Sequence, residues 1–407
     1  MLLGDLLATW FSRAINTNKL SLSLTTHDDS LQKEAKIHLL EKILEFLPHF
    51  SELSLKDRGY IVVSPLLEAP PGRLMMLERL CLDFNRIPDR AKFPASATVF
   101  KDAPNLKDVQ LQVPSSTLNH NSRFSLPWIQ LTRLIIDVEM TLPDFCNVIF
   151  QSTAIRTALF TYINLRNDGD LPDGWTPPSP CLTAFPQLTD LVLEFHAWSY
   201  IGSSIDYQTI IQNLYLPKIE KLCLAGNIIG LGLSQPPLPR IDPGTLRILS
   251  LLEVNVDIAT LTELVRVSPL IEELTLCLSR VSAAQLLNAL AADDMASRGQ
   301  TFERLKEFRF AYCPDESHTL EDYTAVGMAF SALVKRWIVD QSALLHAVLV
   351  VYEPKARHKM LDIAHGLGEI AREYGRTDFR AEMKVVRDGP NLRRALELYY
   401  VLRGPKY

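Results

Sequence analysis

The sequence lacks the residue patterns that usually mark a catalytic or metal centre. Its nine histidines form no H-E-x-x-H pair and its six cysteines form no C-x-x-C pair, so nothing in it favours a zinc or iron site. It also lacks the G-x-S-x-G motif of α/β-hydrolases. The glycines of GNIIGLG (residues 226–232) have the wrong spacing for a dinucleotide- or phosphate-binding loop. We therefore predict no catalytic residue, no metal site and no cofactor.

Signals for export and for membrane insertion are also missing. There is no N-x-S/T glycosylation acceptor, and residues 1–10 contain Asp5 but no basic residue. The longest apolar run, near residues 343–352, is too short to span a bilayer and contains His346. Cys81, Cys223 and Cys277 lie between leucines of the predicted strands, and we interpret the cysteines as small buried or half-buried thiols. We predict no membrane segment and a cytoplasmic or nuclear location.

The charge distribution gives little support for nucleic-acid binding. The formal net charge is −5, although residues 354–407 hold 12 Lys/Arg and only 7 Asp/Glu, which makes this segment basic. Its basic residues, such as Arg372, Arg376 and Arg380, are interrupted by acids and do not form dense runs with aromatics. We interpret the segment as a solvated terminal region and do not predict a nucleic-acid partner.

A repeated apolar spacing is the main positive signal. Residues 77–85 (LERLCLDFN) fit the pattern L-x-x-L-x-L-x-x-N/C of leucine-rich repeats. Two further full matches run from Ile219 to Asn227 and from Leu305 to Cys313. Each match supplies an apolar triplet at positions i, i+3 and i+5, and we expect this triplet to point inward from a short strand. A single copy could bury little apolar surface, so successive copies must stack.

Weaker copies keep the triplet and lose the polar ninth residue. They are Phe50, Leu53, Leu55; Leu106, Val109, Leu111; Leu131, Leu134, Ile136; Leu188, Leu191, Leu193; Leu246, Leu249, Leu251; and Ile271, Leu274, Leu276. Two less regular candidates are Ile155, Ala158, Phe160 and Leu345, Val348, Val350. The step between middle residues is 27 from Leu53 to Leu80 but 40 from Phe308 to Val348. The longer steps indicate inserted helices or loops.

Helical spacing fills several of the segments between these strands. Residues 31–47 place Ile37, Leu40, Ile43, Leu44 and Leu47 at helical intervals before Pro48. The same reasoning predicts helices over residues 142–150, 207–214, 258–267, 283–292 and 322–339. A last strand is predicted within residues 378–388, followed by a closing helix over residues 390–402.

These patterns together predict an α/β fold. We expect an irregular horseshoe-shaped leucine-rich-repeat solenoid with a parallel sheet on its concave side and helices on its convex side. The solenoid would cover residues 1–353, and residues 354–407 would form its C-terminal capping segment.

The strand residues between the triplet positions should line the concave face, because neighbouring side chains along a strand point to opposite faces. The predicted partner-binding residues are Asp108, Gln110, Arg133, Asp137, Asp190, Glu194, Lys221, Glu273, Glu307 and Arg309. This mixture of charges and amides suits a folded protein or peptide held by many modest contacts. Alternatively, these polar residues bind no partner and are there only because the face is exposed to solvent. Trp175, in the proline-rich residues 166–186, either packs against the solenoid or faces a partner at the rim.

Several of these segments carry a resemblance to a known family. Residues 100–111 (FKDAPNLKDVQL), 126–136 (LPWIQLTRLII), 216–227 (LPKIEKLCLAGN) and 268–276 (SPLIEELTL) resemble the repeat strands of the large fungal F-box/leucine-rich-repeat proteins. Residues 6–24 resemble the helix and first strand that follow the F-box in that family. The resemblance implies the repeat region of a substrate receptor of cullin-based ubiquitin ligases, with a protein target held on the solenoid.

The F-box itself was not found in this sequence. Only about twenty residues precede the first predicted strand, whereas an F-box is a helical module of roughly 40 residues that begins with a motif such as L-P-x-E. The sequence therefore does not predict that this chain binds the ligase adaptor directly.

Three functional hypotheses follow. The leading one is a non-enzymatic protein–protein recognition module that resembles the substrate-binding region of F-box receptors. The second is a complete F-box receptor whose upstream exon is missing from the sequence. The third is an enzyme with an unrecognised pocket near Trp175 or residues 226–243.

Overall fold

A computed structural model describes most of the strands and the segments next to them. The described residues are 2–14, 19–26, 33–57, 64–84, 96–113, 123–164, 183–196, 213–226, 239–242, 244–252, 261, 268–278, 283–291, 304–312, 320–339, 343–351 and 357–385. The chain divides into two compact units, Met1–Leu188 (unit 1) and Thr189–Tyr407 (unit 2). The predicted division into residues 1–353 and 354–407 stays a prediction.

The main element of unit 1 is a parallel sheet with the strand order β1-β2-β3-β5-β7-β8. Its strands are β1 (Leu20–Thr26), β2 (Phe50–Asp57), β3 (Arg79–Asp83), β4 (Ser96–Ala97), β5 (Asp108–Gln112), β6 (Arg123–Phe124), β7 (Arg133–Thr141), β8 (Thr157–Asn164) and β9 (Thr183–Ala184). Short β4 pairs with β6. The helices are α1 (Leu2–Ala14), α2 (Lys33–Glu45), α3 (Ser64–Leu67) and α4 (Leu142–Gln151), with 3-10 turns at Leu47–His49 and Trp128–Gln130.

Unit 2 contains a second run of parallel strands, in the order β10-β12-β14-β15-β16-β17-β18. Its strands are β10 (Asp190–His196), β11 (Leu214–Leu216), β12 (Lys221–Ala225), β13 (Arg240–Ile241), β14 (Ile248–Leu252), β15 (Glu273–Leu278), β16 (Glu307–Tyr312), β17 (His346–Val351) and β18 (Arg380–Val385). Short β11 pairs with β13. The helices are α5 (Ala283–Ala291), α6 (Leu320–Val339) and α7 (Arg357–Glu373).

The predicted α/β class and parallel strands are confirmed, and the apolar triplets explain the strand register. In unit 1 the middle residues Leu53, Leu80, Val109, Leu134 and Ala158 lie side by side on successive strands. All of them are buried, as are the other members of their triplets. A shift of one residue would move every triplet to the opposite face, so burial on one face fixes the register.

One less regular triplet is confirmed and the other is wrong. Ile155, Ala158 and Phe160 are buried and aligned with the preceding strand. In β17, however, Ala347 and Leu349 lie beside Phe308 and Phe310. The set on the triplet face is therefore Leu344, Ala347 and Leu349, one residue before the predicted Leu345, Val348 and Val350. The run LLHAVLVV is apolar at nearly every position, so its spacing does not show which residues face the core.

Most predicted helices that fall on described residues are confirmed. The helix predicted over residues 31–47 is α2, and those over 142–150, 283–292 and 322–339 are α4, α5 and α6. Leu214, the end of another predicted helix, lies in β11, and residues 207–212 are outside the described residues. Apart from Leu261, the helix predicted over 258–267 is also outside them, as is the closing helix over 390–402. The predicted last strand is β18.

Local sequence sets the helix positions beside the sheets. Thr141 caps α4, and its Oγ1 atom accepts a hydrogen bond from the Asp144 amide, which satisfies one of the exposed N–H groups of the first turn.

In unit 2, α6 packs against β16 through aromatic rings. Phe330 stacks on Phe308 with ring centroids 5.7 Å apart, and Trp337 meets the same ring edge-on at 5.0 Å. No helix in the described part of the chain is long and apolar enough to cross a membrane.

Substitutions at Leu344 and Leu345 test the corrected register of β17. Leu344 is fully buried, whereas Leu345 is 40% exposed. Leu344→Ala is expected to lower the free energy of unfolding by about 2–5 kcal/mol, because it leaves a cavity. Leu345→Ala is expected to lower it by less than about 1 kcal/mol. Urea unfolding measures both values, and a larger loss for Leu345→Ala would contradict the register.

Gly226 is required by its position at the end of β12. Its φ angle is +130°, and a Cβ atom there would lie 1.9 Å from the carbonyl oxygen of Phe195. Gly226→Ala is expected to destabilise the protein by at least about 2 kcal/mol, because backbone strain adds to the clash. Gly72→Ala is the matched control. Gly72 also has a positive φ of +81°, but nothing lies near its Cβ position, so a loss of about 1 kcal/mol is expected in thermal unfolding.

Candidate functional site

Each main sheet has a triplet face, which carries the buried apolar triplets, and an opposite face. Along each strand the opposite face receives residues in rows. The first row consists of the residue immediately before the middle triplet residue of each strand. The second and third rows consist of the residues two and four positions after that first-row residue. In unit 1 the first row contains Glu52, Arg79, Asp108, Arg133 and Thr157, which the strand register places side by side.

The first row of unit 1 is a ladder of alternating charges. The Arg79 guanidinium lies 3.0 Å from a carboxylate oxygen of Glu52, and its side chain is 65% exposed. On the next two strands, Arg133 Nη1 donates to both carboxylate oxygens of Asp108, at 2.8 and 3.2 Å. Opposite charges directly across neighbouring strands stabilise a sheet modestly. Two of the predicted binding residues, Asp108 and Arg133, therefore form one cross-strand pair.

The outer rows of the same face continue the polar surface. Gln110 lies half-buried in the second row, between Cys81 and Ile135 on the neighbouring strands. In the third row Asp137 accepts hydrogen bonds from Gln112 Nε2 at 2.5 Å and from Thr161 Oγ1 at 2.7 Å. The structure thus brings Asp108, Gln110, Arg133 and Asp137 together on one accessible face of unit 1.

The first row of unit 2 is also polar and partly exposed. Lys221 Nζ lies 3.0 Å from a carboxylate oxygen of Asp190. Further along the sheet, Glu273, Glu307 and His346 occupy neighbouring strands. The structure therefore places Asp190, Lys221, Glu273 and Glu307 on the face predicted for them.

A connected group of charges surrounds Glu307. Its Oε1 atom lies 2.5 Å from Arg309 Nη2 and 2.8 Å from His346 Nδ1. His346 Nε2 in turn lies 3.3 Å from a carboxylate oxygen of Glu382 on β18. Burial by itself would raise the pKa of Glu307, but the hydrogen bond from His346 and the positive charge of Arg309 outweigh it, so this pKa is lowered.

Two predicted binding residues in unit 2 are not on an accessible surface. Glu194 is fully buried in the third row, and the Arg309 side chain in the second row is only 11% exposed. Their neighbours in these rows are also buried: Ser250, Thr275 and Val348 in the second, and Ala225, Leu252, Cys277, Ala311 and Val350 in the third. The prediction that Glu194 lies on an open binding face is therefore wrong, and Arg309 contributes little surface.

The sequence contains a signal for this difference between the units. Some strands of unit 2, such as β12 with LCLA and β17 with VLVV, read as nearly continuous apolar runs, which is typical of parallel strands buried on both faces. The strands of unit 1 alternate instead, as in VQLQ of β5. A simple alternation rule, applied equally to every strand, missed this distinction. It also missed His346, since the triplet assigned to β17 was one residue out of register. Glu52 and Lys56 of unit 1 were not among the predicted residues, although the same alternation around Leu53 and Leu55 places them on this face.

The described residues offer little for covalent or metal chemistry. They contain no group of three or more His, Cys, Asp or Glu side chains arranged to hold a metal ion. Burial raises the pKa of the Cys146 thiol to about 12, and the Asp144 carboxylate adds to the shift, so this thiol stays protonated at neutral pH. Trp175, predicted as a rim residue, lies outside the described residues. What the described surface offers is a set of charged and amide side chains.

The lowered pKa of Glu307 makes its stabilising contribution depend on pH. The ionised carboxylate stabilises the fold at pH values above its ordinary pKa of 4.5, and this contribution is lost as pH falls through the lowered pKa of the folded state. Glu307→Gln should therefore reduce the free energy of unfolding by about 1–3 kcal/mol near neutral pH. Below pH 4.5 the difference from the unmodified protein should shrink.

Urea unfolding at several pH values measures this difference. Glu369→Gln is the control, because the Glu369 side chain is 60% exposed and its substitution should change stability little. A deficit for Glu307→Gln that stayed constant down to strongly acidic pH would show that the carboxylate charge is not what stabilises this group.

Comparison with known proteins finds no match: no protein-family model matches this chain, and no curated protein matches it.

Proposed function

We propose that this chain is a non-enzymatic protein-recognition module built as a leucine-rich-repeat solenoid, and that the opposite face of unit 1 binds its target. The observation that carries the proposal is the contrast between the two faces of this sheet. On β2, β3, β5 and β7 the triplet face is buried throughout, whereas all three rows of the opposite face stay half-buried or exposed. A parallel sheet normally has both faces covered, so an accessible face is available for a partner.

The repeat pattern supports the solenoid part of the proposal. Each triplet lies on, or begins just before, one strand of a parallel ladder, the strands follow chain order, and helices or loops occupy the connections. This is the arrangement expected when a short repeat can bury its apolar side only by stacking on its neighbours.

The chemistry of the face favours a protein or peptide target with alternating charges of its own. Arg79 and Arg133 alternate with Glu52 and Asp108 along the first row, and Gln110 adds an amide beside them. Because each charge already has a partner across the strands, a target gains specificity from matching the pattern more than from any single ion pair. Such a face suits recognition through many modest contacts.

The resemblance to F-box/leucine-rich-repeat proteins gives this role a biological setting. We propose that the chain corresponds to the substrate-binding repeat region of such receptors and acts in the cytoplasm or nucleus. The lack of catalytic motifs in the sequence supports a binding role over an enzymatic one.

Two variants at the Asp108–Arg133 pair separate recognition from folding. Arg133→Glu breaks the pair and reverses one charge on the face. The double variant Asp108→Arg with Arg133→Asp restores this pair in reversed orientation but places a like charge beside Arg79, so the sheet should lose no more than about 1 kcal/mol of stability while presenting the wrong charge pattern. If the face binds the target, both variants should lose at least about tenfold in affinity.

Photo-crosslinking at Gln110 in cells that express the protein identifies the target, and binding of that purified target to each variant is then measured by calorimetry. Lys101→Glu is the matched control, because Lys101 is exposed in the loop before β5 and away from the rows. Binding that survives the double variant unchanged would exclude the face as the recognition surface. Loss of binding in the control as well would point to net charge and not to this face.

A further inference from the structure

Strand β1 is the terminal strand of the main sheet of unit 1, and its apolar residues are incompletely covered. Leu22 and Leu24 lie beside Leu53 and Leu55 of β2 and continue the same apolar layer. Leu53 and Leu55 are only 1% and 3% exposed, whereas Leu22 and Leu24 are half-buried. A stack of repeats needs a cover for its last apolar layer. At β1 the described residues provide only part of that cover.

After a register shift against β2 between Leu20 and Ser21, the edge of β1 lacks the usual protection against strand pairing. Natural edge strands carry charges, prolines or bulges that discourage another strand from adding to them. The terminal strand of unit 2, β18, follows this rule, because it contains Arg380, Glu382 and Lys384. By contrast, β1 (LSLSLTT) has seven residues and no charge, proline or glycine. From Ser21 onward it runs in straight register with β2.

The sequence of β1 is complementary to itself. In an antiparallel pair of two copies centred on Ser23, Leu22 of each copy would face Leu24 of the other, and Ser21 would face Thr25. A two-fold axis perpendicular to the sheet keeps equivalent faces on the same side, so leucines meet leucines and hydroxyls meet hydroxyls. Five residues of each strand, 21–25, can pair in this way without burying a charge, and the outermost pair would set Leu20 against Thr26.

The helix beside this edge supplies further apolar surface. Phe11 of α1 packs against Phe46 and against Phe50, the first residue of β2, with ring centroids 5.1 and 5.3 Å apart. Leu6 and Trp10 of the same helix are 62% and 57% exposed. They lie one turn apart, as residues i and i+4 do on one face of a helix. Both α1 and β1 border β2. The unpaired edge of β1 and the exposed apolar residues of α1 therefore lie at the same end of the sheet.

From these observations we propose that two copies of this chain associate through antiparallel pairing of their β1 strands, with a two-fold axis at Ser23. The partner is a second copy because the alternation of leucine and hydroxyl residues in β1 matches its own reverse, and because neither strand brings a charge to the contact. The backbone groups of the edge supply hydrogen bonds, and the half-buried leucines of both copies cover each other. This surface differs from the recognition face proposed above, so either proposal can fail while the other holds.

Charge at position 23 tests the proposed axis directly. Ser23 is exposed on the opposite face and lies beside Ser54 of β2, so a longer side chain fits without disturbing the monomer. In the proposed dimer the two Ser23 residues face each other, with Cβ atoms about 5 Å apart. Ser23→Lys and Ser23→Glu should each weaken self-association at least about tenfold, because like charges would meet. An equimolar mixture of the two variants should restore association as a mixed dimer, since opposite charges then meet.

Analytical ultracentrifugation over a concentration series measures association, and native mass spectrometry identifies the mixed dimer. Circular dichroism and thermal unfolding establish that both variants are folded. The double variant Thr153→Lys with Gln187→Lys serves as the control, because both residues are exposed in loops of unit 1 and the change adds positive charge away from β1. It should associate like the unmodified protein.

Three results would overturn the proposal. The unmodified chain could stay monomeric at every concentration tested. The dimer could form with unchanged affinity in both Ser23 variants, which would place the contact elsewhere. The mixture could also fail to form a mixed dimer although each variant is folded and monomeric, which would show that residue 23 does not face its own copy.

Discussion

The aligned burial of one apolar triplet per strand is the constraint on which the rest of the structure depends. Because Leu53, Leu80, Val109 and Leu134 meet their neighbours in register, the residue before each of them is also placed in register. The charge ladder of Glu52, Arg79, Asp108 and Arg133 is therefore a consequence of core packing. The hydrophobic effect fixes the strands, and the strand geometry then presents the polar side chains in rows.

The two units apply this constraint with different outcomes. In unit 1 the strands alternate between apolar and polar residues, so their opposite face remains accessible and carries most of the charged and amide groups proposed for recognition. In unit 2 most residues of the second and third rows from β12 to β17 are small or apolar and are buried, which leaves mainly the first row, with Glu273, Glu307 and His346, at the surface of these strands. Parallel strands in chain order thus leave an accessible polar face in unit 1, whereas in unit 2 most of the opposite face is buried as well.

Several features of the fold followed from the sequence because they depend on local spacing. The triplets identified the parallel strands, and the helical intervals located α2, α4, α5 and α6, since apolar periodicity reports which side of an element is buried. In β17 the spacing failed, because Leu344 and Leu345 are both apolar and only packing against Phe308 and Phe310 selects the first. For the candidate site, alternation correctly placed Asp108, Gln110, Arg133 and Asp137. It failed for Glu194, since it predicts the face of a residue but not whether something covers that face.

By itself, the sequence determined the repeating strands, the core positions and the polar character of the face in unit 1, because each depends on residues within a few positions of one another. The tertiary structure alone decided which charges meet, such as Arg133 with Asp108 and His346 with both Glu307 and Glu382. It also decided that Glu194 is buried, that the Arg309 side chain is mostly withdrawn from solvent, and that Leu22 and Leu24 are less completely buried than Leu53 and Leu55. These outcomes depend on contacts between residues distant in the chain, and local spacing carries no information about them.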